Sequence, residues 1–260
     1  MADLTGRGAL ITGGASGMGR ATSELLASEG ANVLIVDPNE QGTEVERAIK
    51  DAGGSALYVN ADASDPEQVG AALDAGLEAF GGSIDILFNC AGIIRPGTLE
   101  ESSLEDWNRV LACNLTAQWV TSKAVVPQMR AAGKGGVIIN MTSAAGMLGI
   151  DGLASYCASK AGVLGLTKSL AAELAPDNIR AIALSPGTVD TAMPRAALEG
   201  LDDPEGLGVA LFTTHQAIKR VIQPEEVARM VRFLVSEDAS LITGSRIDFD
   251  AGWVATQDAH

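Results

Sequence analysis

The sequence predicts an α/β fold: one domain built on a doubly wound parallel sheet of about seven strands, with helices on both faces. Three observations predict it. Short apolar runs rich in Val, Ile and Leu recur along the whole chain. The runs are continuous rather than alternating, as in strands buried on both faces of a parallel sheet. Between them lie segments of helical periodicity, such as GRATSELLASEG and DPEQVGAALDAGLEAFGG.

The expected strands are, in order, residues 9–12 (ALIT), 31–37 (ANVLIVD), 56–62 (ALYVNAD), 84–92 (IDILFNCAG), 136–143 (GVIINMTS), 179–187 (IRAIALSPG) and 245–252 (SRIDFDAG). Long helical segments are expected at 104–132 and 154–175. No linker, repeat or low-complexity tract divides the 260 residues, so 1–260 reads as one domain. The least regular stretch, about 188–223, is long enough between elements to be read as a substrate lid.

Composition narrows the class. Hydrophobic residues make up 47% of the chain, enough for a full core. Acidic residues outnumber basic ones, 33 to 18, for a formal charge of -15, which repels nucleic acid and anionic membrane. Cys90, Cys113 and Cys157 are odd in number and widely spaced, fitting neither a disulfide framework nor a metal site. No signal peptide and no apolar run of membrane-spanning length is evident, so a cytoplasmic protein is expected.

The first functional signal is LITGGASGMGRA, which follows the first strand and opens a helix. Glycines at 13, 17 and 19 allow a tight turn and close approach of a pyrophosphate at the helix N-terminus. The spacing is G-x-x-x-G-x-G, and alone it fits a structural turn equally well. The second strand ends at Asp37, about 20 residues on, where an acid can accept hydrogen bonds from an adenosine ribose. The same carboxylate repels a 2′-phosphate, and neither Ser16 nor Pro38 offers a countering charge. NAD is therefore expected over NADP in a Rossmann-like site, with Arg20 the one residue that could reach a 2′-phosphate. The competing reading of Asp37 is a solvated strand-end acid.

Together these motifs resemble the short-chain dehydrogenase/reductase family over essentially the whole chain. TGGASGMG matches the family's TGxxxGxG turn, and NCAG (89–92) resembles its NNAG motif with Cys90 in place of the second Asn. ADASD (61–65) places Asp62 at the adenine contact, and SPGTVDTAM (185–193) matches the motif after the sixth strand. Asn114, Ser143, Tyr156 and Lys160 follow the order of the family's catalytic tetrad.

The resemblance implies hydride transfer between a carbinol carbon and a nicotinamide. Tyr156 would be the general acid/base. Ser143 would hydrogen-bond the substrate oxygen. Lys160 would bind the nicotinamide ribose and depress the tyrosine pKa, and Asn114 would hold a water in a proton relay. Cofactor contacts would come from Gly13, Ser16, Gly17, Met18, Gly19, Asp37, Asp62, Ala63, Asn89, Ala91, Gly92, Tyr156, Lys160, Pro186, Gly187, Val189 and Thr191, with Thr188 helping to seat the nicotinamide. The architecture also implies a homotetramer.

The energetics make a structural demand. Lowering a tyrosine pKa from about 10 to about 7 takes roughly 4 kcal/mol. An exposed i,i+4 pair supplies only about 0.3–0.5 kcal/mol. Tyr156 and Lys160 must therefore lie in a cleft of lower dielectric, where the lysine and an oxidised nicotinamide both favour phenolate.

The 144–153 loop and the 188–223 segment should wall the substrate pocket. Ser143 and Tyr156 would meet the substrate oxygen, with Ala145, Met147, Leu148, Ile150, Met193 and Leu198 as lining. That wall suits a hydrophobic or cyclic secondary alcohol or ketone. A 3-oxoacyl-thioester reductase and a sugar or polyol dehydrogenase remain alternatives, as does a catalytically idle NAD-binding regulatory protein. Trp107, Trp119 and Trp253 read as packing or interface residues and Cys157 as packing. Arg95 lies near the cleft by motif position. His215 and His260 have no visible metal partner. Asn60, Thr142 and Thr12 carry no role that the sequence argues.

Overall fold

The computed structural model describes residues 3–193 and 213–256. Seven parallel strands form one sheet in the order β3-β2-β1-β4-β5-β6-β7. They are β1 (Gly8–Thr12), β2 (Asn32–Val36), β3 (Ser55–Val59), β4 (Ile84–Asn89), β5 (Gly136–Met141), β6 (Ile179–Pro186) and β7 (Arg246–Phe249). The helices are α1 (Gly17–Ser28), α2 (Gly42–Asp51), α3 (Pro66–Phe80), α4 (Leu104–Leu111), α5 (Ala117–Ala132), α6 (Ala154–Leu174), α7 (Pro224–Val235) and a short α8 (Trp253–Thr256).

The continuous apolar runs are explained by two cores, one on each face. Ala9, Ile11, Val33, Ile35, Phe88, Ile139 and Ile182 face Leu26 of α1, Val45 and Ile49 of α2, and Val227, Val231 and Leu234 of α7. The alternate residues Leu10, Leu34, Leu87, Ile138 and Ala181 face Leu73 of α3, Val125 and Met129 of α5, and Ala171 and Leu174 of α6. The central strands thus bury both sets of side chains, whereas the edge strand β7 alternates Arg246 and Asp248 with Ile247 and Phe249.

Strands two to seven all stop short of the expected ends, because those runs continue into the loops that follow the strands. A second difference matters more. The expected helix 104–132 is broken by a π-helical turn at Ala112–Thr116. Such one-residue expansions recur at functional sites, and this one carries Asn114.

The chain reverses its winding between β1 and β4, where ligands bind in open α/β sheets, outside the carboxyl ends of the strands. Thr12, Asp37, Asn89, Ser143 and Pro186 all fall at that edge, at or just past strand ends.

Candidate active site

The glycine turn is built by sterics. A methyl group on Gly19 would sit 2.1 Å from the Gly13 carbonyl oxygen, and one on Gly13 (φ +67°) 2.8 Å from the Ala91 Cα. Only glycine lets the turn, the start of α1 and the NCAG loop close on one another. Thr12 Oγ1 accepts from the Cys90 and Ala91 amides at 3.1 and 3.2 Å, pinning that loop beside the turn. Thr12 is a site residue the sequence did not reveal, because its partners are backbone groups far along the chain. A methyl on Gly17 would lie 3.0 Å from Thr191 Cγ2, so the loop after β6 folds over the turn.

The α1 N-terminus is left open. Asp65 caps α3 and Ser103 caps α4 with side-chain acceptors, but α1 has neither a side-chain cap at Ser16 nor an acid in its first turn. Free N–H groups and the positive end of the helix dipole fit a pyrophosphate.

Asp37 is not a solvated acid: it is 9% exposed, and its carboxylate accepts from the Ala15 amide at 3.0 Å and the Asn39 amide at 2.9 Å. Both oxygens keep a lone pair for ribose hydroxyls. Arg20 is engaged elsewhere, its Nε 2.8 Å from Glu24 one helical turn on. Asp62 accepts from the Ser64 amide and hydroxyl, which fixes the loop beside Ala63.

Lys160 lies at the centre of the site, 2% exposed. Its ammonium donates to the Met141 carbonyl at 3.0 Å and stands 5.6 Å from the Tyr156 ring centre. Burial lowers its pKa to about 8. A buried ammonium with three protons and one carbonyl partner fits ribose hydroxyls as its remaining acceptors. A methyl on Gly92 would lie 3.5 Å from that nitrogen, which places the NCAG loop against it.

The Ser143 hydroxyl accepts from the Ala145 amide at 3.2 Å and lies near enough to Tyr156 to favour its phenolate. Burial raises the tyrosine pKa, and Ser143 offsets only part of that. The expected depression by Lys160 is thus absent in the chain by itself: desolvation wins.

Asn114 is fully buried. Its Oδ1 accepts from the Ile93 amide at 2.8 Å, and its Nδ2 donates to the Ile93 carbonyl at 3.0 Å and to Ser159 at 3.1 Å. Both amide protons are committed, so its side chain braces the NCAG loop and has a single lone pair left for a relay water. Ser159 in turn donates to the Tyr156 carbonyl. Thr142 donates to the Lys160 carbonyl at 2.8 Å. Both hold the catalytic turn of α6, and neither was legible as such.

Other candidates move. Asn89 does not face the cofactor cleft: its amide donates to Asn140 at 2.9 Å and accepts from Thr121 at 2.6 Å, inside the protein. Position 89 ends β4 on the inward side of the pleat, which the motif does not tell. Ala145 is 2% exposed, covered rather than lining a pocket, whereas Met147 and Met193 are exposed. Leu198 and most of the proposed lid lie outside the described residues. Its ends are tied together: Asp190 donates to the Ile222 carbonyl, Ile222 to that of Thr188, and Thr188 to Gln216 Oε1.

Cys90 has its thiol pushed up to about 12 by burial. His215 stacks on Trp253 with ring centres 5.7 Å apart. His260 lies outside the described residues. Among the described residues no cluster of His, Cys, Asp and Glu could hold a metal, and no helix is long and apolar enough to cross a membrane. A cavity of about 690 Å³ opens at the opposite, amino-terminal edge of the sheet, lined by Arg7, Asp85, Arg180 and Glu237. Its walls carry both signs of charge and none of the residues above.

One glycine gives a direct test of the geometry. A methyl on Gly146 would lie 2.9 Å from the Lys160 carbonyl carbon and oxygen and from Thr142 Oγ1. Gly146→Ala should push α6 away from Ser143 and lower turnover at least tenfold. NAD affinity, read by fluorescence titration, should change less than threefold.

The chain is similar to known proteins over nearly its whole length. Residues 13–254 match a family model described as enoyl-(acyl carrier protein) reductase. A 2,5-dichloro-2,5-cyclohexadiene-1,4-diol dehydrogenase of Sphingobium indicum is 39% identical, covering 96% of this chain and 97% of the relative. A cis-4-hydroxycyclohexanecarboxylate dehydrogenase of Sinomonas cyclohexanicum is 40% identical, covering 96% and 97%. A crystal structure of a short-chain type dehydrogenase/reductase from Mycobacterium marinum superposes with a TM-score of 0.88 at 34% identity, covering 96% of each chain. The chain belongs to the short-chain dehydrogenase/reductase family and is an oxidoreductase acting on CH–OH groups.

Proposed function

We propose that the protein is an NAD-dependent dehydrogenase that interconverts an apolar, cyclic secondary alcohol and its ketone, with Tyr156 as general acid/base. The observation that carries it is the buried Lys160 ammonium 5.6 Å from the Tyr156 ring centre, with Ser143 acting on the same phenol. When bound, NAD supplies the hydride acceptor. Gly13, Gly17, Gly19 and the open α1 N-terminus would hold its pyrophosphate, Asp37 the adenosine ribose, and Lys160 the nicotinamide ribose. Ser143 would orient the alcohol oxygen, and Tyr156 would take its proton as the carbinol C–H bond breaks. Lys160 keeps positive charge beside the phenolate that results. The exposed Met147 and Met193 would give the substrate an apolar wall, in keeping with relatives named for six-membered-ring alcohols, including a cyclohexanol dehydrogenase of an Acinetobacter species at 38% identity. A homotetramer remains a proposal that sedimentation would decide, and the residue 188–223 lid likewise.

The test is a panel of cyclic and linear secondary alcohols and ketones, 3-oxoacyl thioesters and polyols, each assayed with NAD(H) and NADP(H). Fastest turnover of a cyclic alcohol with NAD supports the reading; preference for a thioester or a polyol overturns it. The pH profile of alcohol oxidation should be bell-shaped. The rate rises as Tyr156 loses its proton, then falls above about pH 8 as Lys160 loses its charge. A rate that keeps climbing to pH 10 would exclude the ammonium from the mechanism.

A further inference from the structure

We propose that Gln118 is a positioning residue for Lys160: its side-chain amide fixes the carbonyl on which the catalytic ammonium is held. The inference rests on the catalytic reading of Tyr156 and Lys160. Gln118 lies one turn beyond Asn114, just after the π-helical turn, and is 1% exposed. Its Nε2 donates to the Asn114 carbonyl at 2.8 Å and to the Met141 carbonyl at 3.1 Å. The Met141 carbonyl is also the acceptor of Lys160 Nζ. One buried amide therefore ties the π turn to the end of β5 at the point where the lysine is anchored.

The orientation of the amide follows from its neighbours. Both partners are acceptors, so the nitrogen faces them, and the reversed amide would set three oxygens against one another. That leaves Gln118 Oε1 buried without a partner. An orphaned buried acceptor costs about 1–3 kcal/mol. A leucine or methionine would fill the same helical position without that cost, so packing alone does not account for glutamine. What the amide adds is two donated protons at the two carbonyls nearest the lysine's anchor.

The electrostatic consequence has a sign. The N–H end of the Gln118 dipole and the ammonium share one oxygen, so the amide competes for the electron density that would stabilise the charge. The titratable groups facing Lys160 are Tyr156 on its own helix, Cys90 after β4 and Cys113 in the π turn. Burial raises the pKa of all three, so they are neutral near pH 7 and leave the carbonyls in control.

The experiment uses Gln118→Met, which keeps length and volume, and Gln118→Glu, which keeps shape. The Lys160 ammonium is titrated by NMR in lysine-labelled protein without cofactor, and kcat is measured against pH. In Gln118→Met the Lys160 midpoint should move upward by at least half a pH unit, the alkaline limb of kcat should move with it, and kcat should fall about tenfold. Gln118→Glu should recover relative to Gln118→Met as pH falls, because a protonated carboxyl donates to one carbonyl again. An unmoved or lowered Lys160 midpoint in folded Gln118→Met overturns the proposal, whatever the melting temperature does. If the parent turned over no secondary alcohol, the catalytic reading would fail, while the NMR titration would still decide what Gln118 does to Lys160.

Discussion

Tyr156→Phe is expected to lower kcat for alcohol oxidation by about three orders of magnitude while leaving the NAD dissociation constant within about twofold. The substitution removes one oxygen and keeps the ring, so helix α6 and the Ser159 and Thr142 hydrogen bonds that hold this turn should persist. What is lost is the proposed proton acceptor beside Ser143. General acid/base groups contribute roughly 10²–10⁴-fold, and the middle of that range is the expectation for a group with a single hydroxyl partner. The control is Lys160→Met, which should weaken NAD binding as well as turnover, since it removes the ribose contact along with the charge. Stopped-flow turnover and fluorescence titration of both variants separate the two roles. Near-normal turnover in Tyr156→Phe would remove Tyr156 from the chemistry.

The size of that effect depends on charge that the protein arranges but does not wholly supply. Burial pushes the tyrosine pKa up, which is the wrong direction for a base. An ammonium 5.6 Å from the ring is worth about 3 kcal/mol at an effective dielectric near 20. That falls short of the roughly 4 kcal/mol needed to bring tyrosine to neutrality, before the burial penalty is counted. On the proposed reading a second positive charge, that of an oxidised nicotinamide, would close the gap. Tyr156 would then become a base with the cofactor in place and stay a phenol without it.

Much of this was legible in the sequence because it depends on spacing. Doubly buried strands leave continuous apolar runs, and the turn glycines, Asp37 and the Tyr156–Lys160 pair announce themselves by interval and residue type. The rest depends on directions that intervals do not carry. Asn89 ends a strand, where one step of the pleat decides between cleft and interior, and it points inward. Ala145 sits on a loop whose side-chain directions have no period. The helical pattern of 104–132 runs unbroken through the π turn, because a single inserted residue hardly disturbs it. Thr12, Thr142, Ser159 and Gln118 act on backbone groups, whose positions follow only from the folded chain. Spacing makes Lys160 conspicuous as a neighbour of Tyr156, but it does not carry the burial that raises the tyrosine pKa in the chain by itself.

Asp37 is where a single substitution should most change what the enzyme accepts. Its carboxylate is 9% exposed and sits between the glycine turn and the loop after β2. A 2′-phosphate brought within about 4 Å of it would meet a repulsion near 4 kcal/mol per unit charge at an effective dielectric of about 20, or roughly three orders of magnitude in affinity. Asp37→Ser removes that charge and keeps a hydroxyl that can accept from the Ala15 amide. The ratio of kcat/KM for NAD to that for NADP should then fall by at least a hundredfold. Part of the change is gain for NADP, and part is loss for NAD as the ribose hydroxyls lose their acceptor. The gain should stop short of the full electrostatic relief, because Arg20 is paired with Glu24 and no cation stands ready to receive the phosphate. Adding Glu24→Gln to Asp37→Ser frees that guanidinium and should raise NADP use further, by up to about tenfold. The loss of the Asn39 amide contact should also lower the melting temperature, which saturating NAD would partly restore. A parent enzyme that already prefers NADP, or an Asp37→Ser variant whose cofactor ratio stays put, would show that the carboxylate only braces the turn.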